Sequence, residues 1–439
     1  MHETYANRFG LRPLALGRRG MVATANPLAT QAGLRILARG GNAVDAIVAA
    51  AAAIGVVEPY MSGMAGCGVL MLTRPGRSPQ ALSFLGRAPE GANPQAVPWS
   101  ARDQGPRSVA VPGNLAAWAR LLADHGTVSL GDALEPAIEL AAGGVPMTVF
   151  DRQMFDEHHA RLNPEGTRVY LHDGRPPAVG ARVVQPDLAA SFRKIARDGV
   201  ATFYEGELAK TIVRDLAALG GLVTAPDLRA YPATLEWSEP LVARYRGVQV
   251  YAPPPPSSAI QILETLNGMA GWDLPGLPHL GPDHLAVIAE ASRAARMDTE
   301  RFVGDPAFVA VPVERLLGSG RTDELRTEMR ARLGRRAAAG AGPRPSPAPA
   351  AGTTHLAACD ATGLAVNITQ SLGGGFGSGV VVRGTGIALN NALHWTSDRA
   401  GHPNVVQAGK RHEWPVAPLH LFRDDAFWAT VGTRGATAS

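Results

Sequence analysis

Apolar and polar positions follow two rhythms along the chain, and the change between them falls late. Up to about residue 334 most apolar positions recur at helical spacing, whereas beyond residue 352 they alternate and are rich in β-branched residues. An early strand is expected over 20–24. A helix then runs from Pro27 through Leu37, with Asn26 as its cap. Gly40-Gly41 ends that helix, and a second one, alanine on almost every face, covers 42–57 until Glu58-Pro59 stops it. The turn Ser62-Gly63-Met64-Ala65-Gly66-Cys67-Gly68 leads into a strand at 69–73. A strand and turn are expected at 108–113, helices at 115–125 and 130–142, and helical periodicity through 185–220. A strand at 245–252 runs into Pro253-Pro254-Pro255-Pro256-Ser257-Ser258, followed by helices at 260–269 and 284–301. The late strands fall at 355–360, 365–371, 379–382, 386–390 and 427–432. Helices before, strands after and no internal repeat predict a layered α/β protein whose central strands come partly from the C-terminal segment.

Composition narrows the function classes. The 439 residues are 46% hydrophobic and 18% charged, with a net charge of +4 and no dense Lys/Arg block, which argues against a nucleic-acid partner. The longest apolar run, 43–57, is shorter than a membrane span and carries Asp45, so a buried helix and no membrane partner are expected. The first twenty residues lack the apolar core of a secretory signal, and Cys67 and Cys359 form no disulfide framework; both point to a cytoplasmic protein. The histidines show no ligand-like spacing, so neither metal nor cofactor is expected. The glycine-rich turn at 62–68 lacks the Lys-Ser/Thr of a phosphate-binding loop.

Candidate chemistry sits at the change of rhythm. Residues 334–352, GRRAAAGAGPRPSPAPAAG, form a Pro/Ala/Gly tract expected to be flexible and exposed. Directly after it comes Thr353-Thr354-His355. A cut between Gly352 and Thr353 leaves a strand whose first residue carries both a hydroxyl and a free α-amine. Such a residue supplies its own nucleophile and its own base, with an amine pKa of about 8.

Several segments, in order, resemble the γ-glutamyltranspeptidase family. They are Met21-Val22-Ala23 with Asn26-Pro27-Leu28-Ala29, Gly40-Gly41-Asn42-Ala43-Val44-Asp45-Ala46, and Gly55-Val56-Val57-Glu58-Pro59. They continue with Val111-Pro112-Gly113, Phe203-Tyr204-Glu205-Gly206 and Pro254-Pro255-Pro256-Ser257-Ser258. The last are Thr353-Thr354-His355, Phe376-Gly377-Ser378-Gly379 and Gly386-Ile387-Ala388-Leu389-Asn390-Asn391. The resemblance implies an N-terminal-nucleophile hydrolase with an αββα sandwich. Its precursor cuts itself into a large subunit, 1–352, and a small subunit, 353–439, which stay together and possibly pair again as a dimer. It also implies that Thr353 forms an acyl-enzyme, that Thr354 orients it, and that Ser371, in place of a family threonine, hydrogen-bonds it. Backbone amides of Gly435 and Ala436 in the turn Gly432-Thr433-Arg434-Gly435-Ala436 then form the oxyanion hole. The family usually continues well beyond this turn, so the chain reads as C-terminally short.

The departures from the family bear on substrate. Its carboxylate-binding arginine falls on Leu85, with Arg87 two residues on and on the same side of a regular strand. Trp395 stands where an ammonium-binding acid is expected, three residues past Ala392 and four past Asn391. Trp414-Pro415 replaces paired serines, and Gly373 replaces an asparagine. A zwitterionic glutamyl head loses most of its polar partners, so a small amide with a more apolar or aromatic-derived acyl group is expected rather than glutathione. Within the same resemblance, a carbon–carbon bond hydrolase of secondary metabolism and an inactive binding protein are the alternatives.

Overall fold

The computed structural model describes residues 15–339 and 352–433. Its centre is the alanine-rich helix Ala43–Val57, in which all 15 residues are buried. Asn42 caps it by accepting from the Val44 and Asp45 amides, while the Asp45 carboxylate returns to the Asn42 amide. Asp45 also takes the amide and hydroxyl of Thr127, tying the helix start to the loop after helix Asn114–His125. Small side chains on every face let this helix pack between helices Pro27–Ala38 and Leu130–Gly143 and a sheet.

That sheet has six antiparallel strands in the order β1 (Gly20–Ala23), β9 (Gly352–Asp360), β10 (Ala365–Gly373), β2 (Cys67–Thr73), β3 (Gln80–Phe84) and β6 (Trp237–Ser238). A second sheet runs β14 (Ala426–Val431), β13 (Leu419–Arg423), β8 (Val248–Ala252), β7 (Leu241–Tyr245). Two short pairs, β4 (Val145–Pro146) with β5 (Arg182–Val183) and β11 (Val381–Val382) with β12 (Ile387–Ala388), lie outside both. Alternation sets the layers. Val366, Ile368, Leu356 and Ala358 face the helical core, and Asn367 and Thr73 face the second sheet. There Asn367 Nδ2 donates to Leu419 O at 3.2 Å, and Thr73 Oγ1 meets His420 Nδ1 at 2.6 Å. Helix Ala259–Met269 covers the outer face of the second sheet, backed by Pro282–Phe302 and Ser319–Ala339. This is the αββα sandwich expected from the sequence.

Four local expectations need correction. Residues 108–113 form no strand: their amides go to separate partners, Val111 N to Arg87 O, Gly113 N to Gly66 O and Ala110 N to Asn390 Oδ1. The strand expected at 245–252 is a hairpin of β7 and β8 that turns at Arg246-Gly247, both with positive φ (51° and 83°), a pairing suited to a tight two-residue turn. The tract expected to be flexible from 334 begins as helix, since Ser319–Ala339 continues through it, and Gly352 already belongs to β9; residues 340–351 lie outside the described residues. The strands at 379–382 and 386–390 shrink to the two-residue β11 and β12. Strand β13 was not signalled, because LHLFR is too short to show a period.

Two histidines are sealed in the sandwich. Burial pushes His420 and His412 down to about 3, against about 6.5 in an unfolded chain. Below pH 6.5 the unfolded state takes up protons that the folded state refuses. Stability is therefore full above about 6.5 and falls as pH drops toward the folded values, by about 1.4 kcal/mol per pH unit for each histidine. We expect His420→Gln to flatten the dependence of the urea midpoint on pH between 6 and 4.5 by roughly one proton; an unchanged slope refutes the assignment to His420.

Candidate active site

Gly352 and Thr353 open β9, where Gly352 pairs with Gly373 of β10. The register shifts between Gln370 and Gly373, and Ser371 lies within this irregularity together with Leu372. Thr353 is 6% exposed, and its Oγ1 lies 2.7 Å from Gly352 O and 3.1 Å from Ser371 Oγ. Ser371 Oγ donates to Gly352 O and accepts from the Gly373 amide at 2.8 Å. One consistent set of protons follows. The Gly373 amide and the Thr353 hydroxyl point at Ser371 Oγ, and the Ser371 proton points at the carbonyl that precedes Thr353.

The glycine turn after β10 carries the rest of the site. Gly373 has φ +108°, and a Cβ there would meet Trp395 Cζ3 at 2.9 Å and collide with Asn391 Oδ1. Asn391 and the tryptophan together fill the space that a side chain at 373 needs. Asn391 Oδ1 accepts from Gly374 N at 2.8 Å and its Nδ2 donates to Asp103 O at 2.7 Å. Arg161 braces the turn, bonding Asp103 Oδ2 at 2.8 Å and Gly377 O at 3.2 Å. Burial raises the Asp103 carboxyl, but the Arg161 guanidinium more than offsets this and holds it below the usual range. The His158 ring packs on Gly375 and is pushed down by burial.

The candidates from the sequence separate into groups. Thr353, Ser371, Gly352, Gly373, Asn391 and Trp395 come together. Thr354 is fully buried with its hydroxyl unpartnered, and alternation turns it to the opposite face of β9 from Thr353, so its side chain does not orient that residue. Trp414 is 1% exposed in an apolar cluster with Leu85, Cys67, Val69 and Leu393, so it backs Trp395 (centroids 4.9 Å apart) and does not reach a ligand. Ser258, from the proline-serine motif, holds it by donating to Trp414 O at 3.0 Å. Arg87 does not share a strand face with Leu85, because β3 ends at Phe84; its Nη1 donates to Gly409 O, and it lines a cavity that includes neither Thr353 nor Ser371. Gly435 and Ala436 lie outside the described residues. Asp103, Arg161 and His158 were missed, since nothing in their local sequence ties them to a turn more than 200 residues away; His394, whose Nδ1 lies 3.5 Å from Asp103 Oδ1, was missed as well. Among the described residues no group of three or more His, Cys, Asp or Glu is placed to hold a metal, and no helix is long and apolar enough to cross a membrane.

A two-sheet sandwich between helical layers, with a hydroxyl residue at the head of a central strand, defines an N-terminal-nucleophile hydrolase. The sequence profile described as Gamma-glutamyltranspeptidase matches residues 29–439, and the chain belongs to that family. It is 35% identical over 438 residues to the Acylase ACY 1 proenzyme of Pseudomonas sp. (strain SE83), covering 96% of this chain and 77% of that one. It is 32% identical over 445 residues to the Glutathione hydrolase proenzyme of Bacillus subtilis (strain 168), covering 96% and 76%. The crystal structure of cephalosporin acylase from Bacillus halodurans superimposes with a TM-score of 0.84 at 32% identity, covering 98% of this chain and 80% of that one.

Proposed function

We propose that this protein is a self-processing acylase whose nucleophile is Thr353, generated by cleavage at Gly352–Thr353 into subunits 1–352 and 353–439. The observation that carries the reading is the hydroxyl pair at the scissile bond. Ser371 polarises the Gly352 carbonyl while accepting the Thr353 proton. Attack by Thr353 Oγ1 forms a C–O bond to Gly352 as the C–N bond breaks and the nitrogen takes up a proton. Water then hydrolyses the ester, leaving a carboxylate on Gly352 and a free amine on Thr353. In the mature protein that amine serves as base for the same hydroxyl. Backbone amides at Gly435 and Ala436 would hold the oxyanion, as the family resemblance implies.

For the substrate we infer an apolar or aromatic acyl group. A row of rings leads inward from the exposed Trp99 to His394 (6.3 Å), then to Trp395 (4.9 Å) beside Gly373, with Trp414 (4.9 Å) behind it. Leu85, fully buried behind it, offers nothing to a carboxylate. The same row would serve hydrolysis of a carbon–carbon bond next to an aromatic ketone, which differs only in the leaving group. The test compares γ-glutamyl-p-nitroanilide with phenylacetyl-p-nitroanilide on processed protein. We expect faster turnover of the phenylacetyl compound, and a loss of about 10–200-fold for it in Trp395→Ala. Preference for the γ-glutamyl compound refutes the substrate reading and leaves the nucleophile intact.

A further inference from the structure

A second cavity, of about 340 Å³, is lined by Ser83, Arg87, Ala233, Thr234, Glu236 and Arg411. Ser83 pairs with Val69, Val69 with Thr369 and Thr369 with His355, so three strand spacings, about 14 Å, separate its wall from the strand of Thr353. Arg87 and Arg411 sit directly opposite each other across an antiparallel bridge. Like charges in that position repel. Arg411 is relieved by the fully buried Asp305, which takes its amide at 2.9 Å and its Nη2 at 2.8 Å. The Arg87 side chain bonds only the Gly409 carbonyl among the described residues, and its Nε is buried without a hydrogen-bond partner, as is Ser83 Oγ. A half-buried guanidinium facing a second one, beside an unused hydroxyl, is costly unless an oxyanion completes the set. Glu236, exposed at the rim, disfavours a simple anion and matches an ammonium instead.

We propose that this cavity binds a free α-amino acid, its carboxylate on Arg87 and Ser83 and its ammonium on Glu236. The site stands apart from the acyl chemistry and does not depend on Thr353. Titration calorimetry on the full-length protein tests it, using L-alanine and L-leucine, with propanoate and inorganic phosphate as partial mimics. We expect the amino acids to bind at least ten-fold tighter than either mimic. Arg87→Met should lose that affinity ten-fold or more, and Glu236→Gln should lower it to the level of propanoate. Absence of amino-acid binding, tighter binding of phosphate, or unchanged affinity in Glu236→Gln each overturns the proposal. Glu236→Gln alters an exposed side chain, so it decides the question even if Arg87→Met fails to fold.

Discussion

Replacing Thr353 with alanine should leave a single species of 45.9 kDa and abolish turnover. The wild-type chain should give two masses that sum to the full chain plus one water, the smaller beginning at Thr353. Alanine removes the hydroxyl that lies 2.7 Å from the Gly352 carbonyl oxygen and, on the proposed mechanism, the nucleophile of the mature protein as well. Loss of a nucleophile typically costs about 10⁶ in rate, so acylase activity should reach background. Intact mass under denaturing conditions reads the first effect and anilide release reads the second. A wild-type chain that keeps one full-length mass through prolonged incubation sinks the self-processing reading, because the free amine never forms.

The next largest effect is expected at Ser371. Its hydroxyl is the side-chain donor on the Gly352 oxygen. Withdrawing one donor from a developing oxyanion costs about 10²–10³ in rate. Ser371→Ala should therefore lengthen the half-time of cleavage by that factor, with the precursor accumulating as the full-length mass, and Ser371→Thr should restore it. The conservative rescue separates a chemical role from a packing defect, since threonine is the larger perturbation at a fully buried position. Cleavage at the wild-type rate in Ser371→Ala would assign the polarising role elsewhere.

Much of the scaffold was legible because its signals are local. Asn26 before Pro27, the alanine run after Asn42 and the alternation past residue 352 each carry their own capping or periodic signature, and each formed the expected element. What failed depended on distant partners. Residues 108–113 look like a strand in isolation, but no neighbouring chain offers them a continuous ladder. Arg87 was placed by counting along a strand that ends three residues earlier. In the site, Thr353 and Ser371 could be named from the motif order. The hydrogen bond from Ser371 to the Gly352 carbonyl, and the bracing of the glycine turn by Asp103 and Arg161, arise only from tertiary contacts.

The strand order β1-β9-β10-β2 interleaves the two sides of the proposed cut. β9 and β10 lie downstream of it, and both of their outer neighbours lie upstream. Severing the peptide bond would free no piece, because β9 and β10 stay paired to β1 and β2, and β13 to β8, across the cut. Separated by denaturant, the upstream fragment would present bare edges at β1 and β2, and the downstream one a bare hairpin edge on each side, all open to self-association. The uncut chain holds these strands at high effective concentration, and the cut pair does not. The proposed break would thus act as a one-way ratchet: the architecture must be reached before the bond is lost, and a cut molecule that comes apart would have little route back.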